Sequence, residues 1–203
     1  MHNKKVENAT KAEDLELILG AFNLNNDNEP GRITLTPSEV KFHELWNASS
    51  ERYSHDIAVL TLKTEVKFTN YVKKICMYRE DEYSYDGEGT VVGWSPEDDS
   101  PTADVLPMSN FTQTKLNEDC YRAFSLLAWR AWAESFCAGL APGGCFDGTN
   151  SAGFFSKLGQ AYHFRGFSSF SVRSSRGCHK NTIYTDVASY SNYLGVPKRS
   201  EVP

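Results

Sequence analysis

Long apolar runs are the first thing this chain lacks. No stretch approaches the roughly 18 uninterrupted apolar residues that a membrane-spanning helix needs, so no membrane partner is expected. The opening Met1-His2-Asn3-Lys4-Lys5-Val6 has no apolar core of the kind a secretory leader carries. An excess of positive charge is missing too. Lys and Arg number 21 against 26 Asp and Glu, a formal charge of −5, and no basic stripe recurs on any element. A nucleic-acid partner is therefore not expected. No His, Cys, Asp or Glu spacing matches a metal site, and nothing calls for a cofactor. Internal repeats and low-complexity tracts are absent, and apolar residues at helical spacing are scarce.

What is present reads as strand. Short runs rich in Val, Ile, Phe and Tyr are separated by Gly, Pro, Asn and Asp, which predicts an all-β architecture. With 203 residues, 40% of them hydrophobic, the chain can bury a core as one large domain or two small ones. Strands are expected over Leu15–Gly20, Arg32–Thr36, Glu39–His43, Asp56–Leu62, Gly89–Trp94, Gly153–Ser156, Ala161–Phe167 and Thr182–Thr185. Residues 1 to 14 and Pro96–Pro107 read as loops, and the polar Arg79–Glu88 as a boundary between halves. Two segments have helical spacing. Leu116, Cys120, Phe124 and Leu127 predict a helix over Asn117–Glu134, and Asp186–Leu194 a second, stopped by Gly195 and Pro197.

Five cysteines and three N-glycosylation triplets point outside the cytosol. The acceptors would be Asn8, Asn47 and Asn110. An odd cysteine implies a partner elsewhere.

Six short motifs then occur in a fixed order. They are His55-Asp56-Ile57-Ala58-Val59-Leu60, Val72–Cys76, Val92-Gly93-Trp94, Phe136-Cys137-Ala138-Gly139, Gly166–Ser171 and Ile183-Tyr184-Thr185-Asp186-Val187. Together they resemble the trypsin–chymotrypsin family of serine endopeptidases, and the aromatic-rich segments around Phe154 and Phe164–Ser171 resemble its arthropod branch. The resemblance implies a trypsin-like double antiparallel β-barrel with the first barrel incomplete and a C-terminal helix. On that basis residues 1–195 form one domain. Residues 1–88 make the partial first barrel, 89–183 the second barrel and 184–195 the helix, and 196–203 are a tail. The family's opening strands have no counterpart here, so a truncated first barrel with an open sheet edge is expected.

The resemblance also implies a site, and the chain departs from it. Asp56 stands where the triad carboxylate belongs. The histidine segment would lie upstream of Leu15, where only His2 is available and Asn3 replaces the expected cysteine. His55 is expected on the strand face opposite Asp56, exposed to solvent, and His43, His163 and His179 have no motif support. Counting from Cys145, the nucleophile position falls on Thr149, whose β-branch stiffens χ1 beside the attacking oxygen. Gly148 and Asp147 replace the Asp and Gly that order the oxyanion hole, a loss of about 10²–10³ in rate by itself. Gly143, Ser171 and Thr182 fall at the base and walls of the specificity pocket.

The family's disulfides carry over as Cys120–Cys137 and Cys145–Cys178, although four cysteines alone permit three pairings. Cys76 is left over, at a position that in the family tethers an upstream segment. The resemblance thus implies a secreted, N-terminally truncated, non-catalytic homologue that binds protein partners, cascade proteases among them. The alternative is a fragment of an active endopeptidase whose missing part carries the histidine; Thr149 argues against it.

Overall fold

The computed structural model describes residues 10–46, 54–79, 88–94, 105–106, 108–113, 134–140, 152–171 and 181–196. These fall into two compact units, Met1–Lys74 and Ile75–Pro203. The cut lies ahead of the polar Arg79–Glu88 stretch, since Cys76–Met77 already pairs within the second unit.

Among its described residues the first unit has two separate strand pairs. β1 (Leu17–Leu19) runs antiparallel to β2 (Ile33–Leu35), and β3 (Pro37–Phe42) antiparallel to β4 (Ala58–Leu62). A single 3-10 turn, Ala12–Asp14, lies within the segment expected to be loop. Among the described residues of this unit only Pro37 and Ile57 are buried. Phe22, Leu45, Phe68 and Tyr71 are all more than half exposed. Two pairs of strands cannot by themselves wrap a core, which is why the apolar residues stay wet.

The β1–β2 connection is stitched by Arg32, whose side chain is only 7% exposed. Its Nη1 donates to the carbonyls of Asn23 (3.1 Å) and Asn26 (3.4 Å), and its Nη2 pairs with Asp27 Oδ1 at 3.0 Å. Glu29 lies 3.6 Å from the same guanidinium and accepts the N–H groups of Phe22 (2.9 Å) and Asn23 (2.8 Å). The asparagines suit this loop because their amide oxygens cap backbone N–H groups two residues on, Asn23 to Asn25 and Asn26 to Asn28. The phenomenon is local: one buried cation gathers loop oxygens that would otherwise need water.

The second unit is a closed barrel with one strand added. β5 (Cys76–Met77), β6 (Glu88–Val92), β7 (Met108–Gln113), β8 (Ser135–Leu140), β9 (Gly153–Leu158), β10 (Ala161–Ser171) and β11 (Asn181–Asp186) form one sheet. β6 pairs with β7 and β9, β8 with β7 and β11, and β10 with β9 and β11, so six strands close into a ring. β5 adds in parallel to β10. Closure leaves no free edge among these six strands. β9 and β10 are joined through Gly159-Gln160, where Gly159 takes φ +61°, the left-handed conformation that short hairpin connections favour.

The core sits inside this ring. Val91, Phe136, Ala138, Ala152, Phe154 and Tyr184 form one buried cluster. Phe136 meets Phe154 edge-on at 5.1 Å and Tyr184 face-on at 5.2 Å, and Phe154 meets Tyr184 edge-on at 5.3 Å. Such ring pairs add to the burial of their area. β10 and β11 approach so closely at Gly166 that a Cβ there would run into the Thr185 carbonyl. Glycine is the residue that permits this crossing.

The closing helix begins later than the expected 184. Residues 181–186 are held in the β11 ladder, and the Asp186 side chain then accepts the Ala188 N–H at 3.1 Å to cap a 3-10 turn, Val187–Tyr190. One α-helical turn follows, α1 (Ser191–Leu194), ended by Gly195 at φ +65°. Val187, Ala188 and Leu194 pack with Tyr78 and Met77 and with Phe164 and Phe167 of β10. The helix expected over Asn117–Glu134 lies outside the described residues apart from Glu134. The architecture is the all-β, trypsin-like one that the motifs imply, with a closed barrel in the second unit, two strand pairs among the described residues of the first, and a short C-terminal helix.

Candidate active site

Asp56 occupies the turn that enters β4, half-buried and followed by the buried Ile57. The turn is tight. The Ile57 N–H donates to the His55 carbonyl at 2.8 Å, and the His43 N–H donates to the Ile57 carbonyl at 3.3 Å, fastening the turn to the end of β3. His55 takes φ +56°, a left-handed conformation uncommon for residues other than glycine, although His, like Asn and Asp, adopts it more often than most.

That turn corrects one expectation. His55 is not on a strand face, so strand alternation does not aim it outward. It is half-buried and stacks on His43, with ring centroids 4.6 Å apart and planes 9° from parallel. His43 Nδ1 accepts the Leu45 N–H at 3.3 Å, which leaves its ring proton on Nε2 when neutral. Sequence reading gave His43 no role beyond the ordinary; here its ring stacks on the residue that precedes Asp56. A half-buried carboxylate and two imidazoles are thus gathered at one end of the β3–β4 pair.

Thr149 lies outside the described residues, as do His2, Gly143, Asp147, Gly148 and His179. The chain becomes describable just after that loop, at Ala152, and there it is clamped. The Ala152 N–H donates to Ser168 Oγ at 3.0 Å and the Ser168 N–H donates to the Ala152 carbonyl at 2.9 Å. Both residues are buried, so each bond satisfies a group that water cannot reach. The pair fixes where β9 starts.

The two positions that the resemblance implies for the pocket walls are strand neighbours. Ser171, the last residue of β10, lies in register with Thr182 of β11, and Thr182 is 3% exposed. Two residues further along the same face of β11 is Tyr184, fully buried. Burial pushes its phenol above the ordinary value of 10, with the neighbouring Thr182 hydroxyl pulling the other way, and its Oη makes no well-aligned hydrogen bond.

Of the cysteines, Cys137 is buried and disulfide-bonded, while its expected partner Cys120 and the expected pair Cys145–Cys178 lie outside the described residues. Cys76 is a free, exposed thiol on β5, opposite His163 of β10. Asn8 and Asn47 lie outside the described residues, whereas Asn110 sits within β7, its backbone paired with Thr90. Among the described residues no three metal-ligating side chains converge. No helix among them is long and apolar enough to cross a membrane.

Sequence reading missed Arg165. It is 3% exposed in the interior of the second unit, at a bulge between Phe164 and Gly166. Its guanidinium lies 4.2 Å from the Tyr78 ring and 4.7 Å from the Phe136 ring, and Nη2 donates to Asp186 Oδ2 at 3.3 Å. Nε and Nη1 have no hydrogen-bond partner. An arginine between Phe164 and Gly166 reads as an outward residue, and the signal against this was the adjoining glycine, which marks a bulge.

A closed six-stranded β-barrel in one unit and, in the other, a strand pair entered through an Asp-Ile-Ala turn are both features of the chymotrypsin-type framework. The comparisons with known proteins agree: the trypsin family profile matches residues 5–194, and the chain belongs to that family. It is 26% identical over 221 residues to Serine protease gd of Drosophila melanogaster, covering 90% of this chain and 42% of that protein. It is 26% identical over 151 residues to Phenoloxidase-activating factor 1 of Holotrichia diomphalia, covering 73% of this chain and 40% of that protein. Coagulation factor IX of Cavia porcellus is 30% identical over 139 residues, covering 64% of this chain and 45% of that protein. The first two sources are arthropods, in line with the aromatic-rich segments. The chain spans about two fifths of the length of these curated relatives.

Proposed function

We propose that this protein is a non-catalytic, extracellular member of the trypsin family that binds protein partners within a proteolytic cascade. The observation that carries the proposal is the loop after Cys145. There Phe-Asp-Gly-Thr-Asn stands in place of the family's nucleophile motif, between flanks that retain the family pattern. A protein that keeps the frame but carries a β-branched threonine for the reacting serine, beside altered oxyanion-hole positions, retains surfaces and loses turnover. Similarity to a phenoloxidase-activating factor and a coagulation factor supports a setting among cascade proteins. The five cysteines and the three glycosylation triplets support an extracellular one.

The second reading, part of an active serine endopeptidase, is favoured by Asp56, which keeps the triad acid's motif beside two imidazoles. A fluorophosphonate probe separates the two. The expected result is no covalent adduct on the purified chain by intact-mass spectrometry. Stoichiometric modification at Thr149 or Ser151 would establish the enzyme instead.

A further inference from the structure

Residues 63–74 carry Lys63, Lys67, Lys73 and Lys74 against one acid, Glu65, a local charge of +3 in a chain whose total is −5. Lys67, Lys73 and Lys74 are exposed, and among the described residues none of them is in an ion pair. Lys73 and Lys74 line an open cleft of about 650 Å³ with Phe68, Thr69 and Asn70. Phe68 is 64% exposed and the adjoining Tyr71 59%. The patch therefore combines clustered like charges, in no ion pair among the described residues, with large aromatic faces left in water, a combination that marks a binding surface more than a resting one.

Its backbone is already set. Thr69 Oγ1 accepts the N–H groups of Tyr71 and Val72, both at 3.1 Å, and the Thr69 N–H donates to the Val72 carbonyl at 2.8 Å. Tyr71 is anchored at its root against Gly31, where φ is +82° and no Cβ would fit. A preset turn lowers the ordering cost of binding.

We infer that this cleft binds an acidic peptide segment of a partner protein, its carboxylates meeting Lys73 and Lys74 and an apolar side chain covering Phe68. Complementary charge supplies encounter and register, and the ring supplies the desolvated contact. A peptide suits the site better than a sulfated polysaccharide. Among the described residues the cleft's positive charges come from one short stretch, and two rings ask for apolar cover that a polyanionic sugar does not bring. The inference draws only on the first unit and holds whether or not the chain cleaves peptides.

The test is fluorescence anisotropy of a labelled peptide alternating Glu and Asp with Leu and Phe, titrated with the full chain at low and at physiological salt. A Gln and Asn analogue and a heparin-type oligosaccharide are run beside it. The acidic peptide is expected to bind roughly tenfold or more tightly than the amide analogue, and more weakly as salt rises. Lys73→Glu/Lys74→Glu should weaken it by about tenfold or more. Phe68→Ser should weaken it too, and Lys73→Arg/Lys74→Arg should preserve it, all with unchanged thermal melts. The inference is overturned if neither peptide binds, if the amide analogue binds equally, if charge reversal changes nothing, or if the oligosaccharide alone binds.

Discussion

Replacing Arg165 discriminates between two accounts of the second unit's interior. Its side chain is 4% exposed and that of its ion-pair partner Asp186 16%. In one account the ion pair stabilises the fold. In the other, the guanidinium serves chiefly as a flat filler between Tyr78 and Phe136, and its charge is a cost. The geometry favours the second: a single 3.3 Å bond to Asp186 and two nitrogens without partners recover little of the desolvation of a buried cation. Asp186, moreover, keeps the Ala188 N–H when arginine is gone. Arg165→Ala should therefore cost about 3–5 kcal/mol, chiefly from the cavity left between two rings. In a unit of this size each kcal/mol lowers the melting temperature by roughly 2–5 °C. Arg165→Met refills the space and offers a thioether to both rings, so its cost should stay within about 1.5 kcal/mol. Thermal unfolding followed by circular dichroism, with urea titration as a check, reads both. Equal losses for Met and Ala would show that the charge pair dominates and would refute the reasoning.

Two further predictions concern titrating groups. Glu29 is held below its ordinary 4.5 chiefly by the Phe22 N–H, with Asn23 and Arg32 assisting and desolvation opposing. A depressed carboxyl stabilises fully above its unfolded value and loses that contribution as pH falls through the folded one. Protection of the Phe22 and Asn23 amides, with exchange normalised to its intrinsic rate at each pH, should thus fall on acidification below about 4.5, and Arg32→Ala should reduce it roughly tenfold at neutral pH. Unchanged protection in either case would contradict the stitched-loop description. Tyr184 has the opposite sense. Its raised phenol favours the folded state up to the unfolded value near 10 and destabilises it as pH climbs further. Ultraviolet titration should show one of the ten tyrosines ionising only with unfolding, a step that Tyr184→Phe abolishes. Smooth titration of all ten would disprove the burial argument.

Which strands could be read from sequence followed from their composition. The runs at Asp56–Leu62, Gly89–Trp94 and Ala161–Phe167 are β-branched or aromatic and lie within or beside observed strands. β7 escaped because Met-Ser-Asn-Phe-Thr-Gln has a polar, sequon-like sequence, and only its two neighbours in the barrel make it a strand. β5 escaped because two residues carry no period. At the site, Asp56 was legible from its motif. The posture of His55 was not, since a left-handed turn breaks the alternation that sequence reading relies on. Arg165 and the Lys67–Lys74 cleft were invisible for a shared reason: what a charge is worth depends on which neighbours answer it, and chain order does not record that.

β10 bonds to β9 and β5 near its start and to β11 toward its end. A strand shared three ways cannot loosen in instalments. Releasing any stretch of it unseats the segment entering from the first unit, the strand that follows the Cys145 loop, or the platform under the C-terminal helix. Breathing motions of that half should accordingly be all-or-none, and a partner gripping any one of these segments would brace the other two.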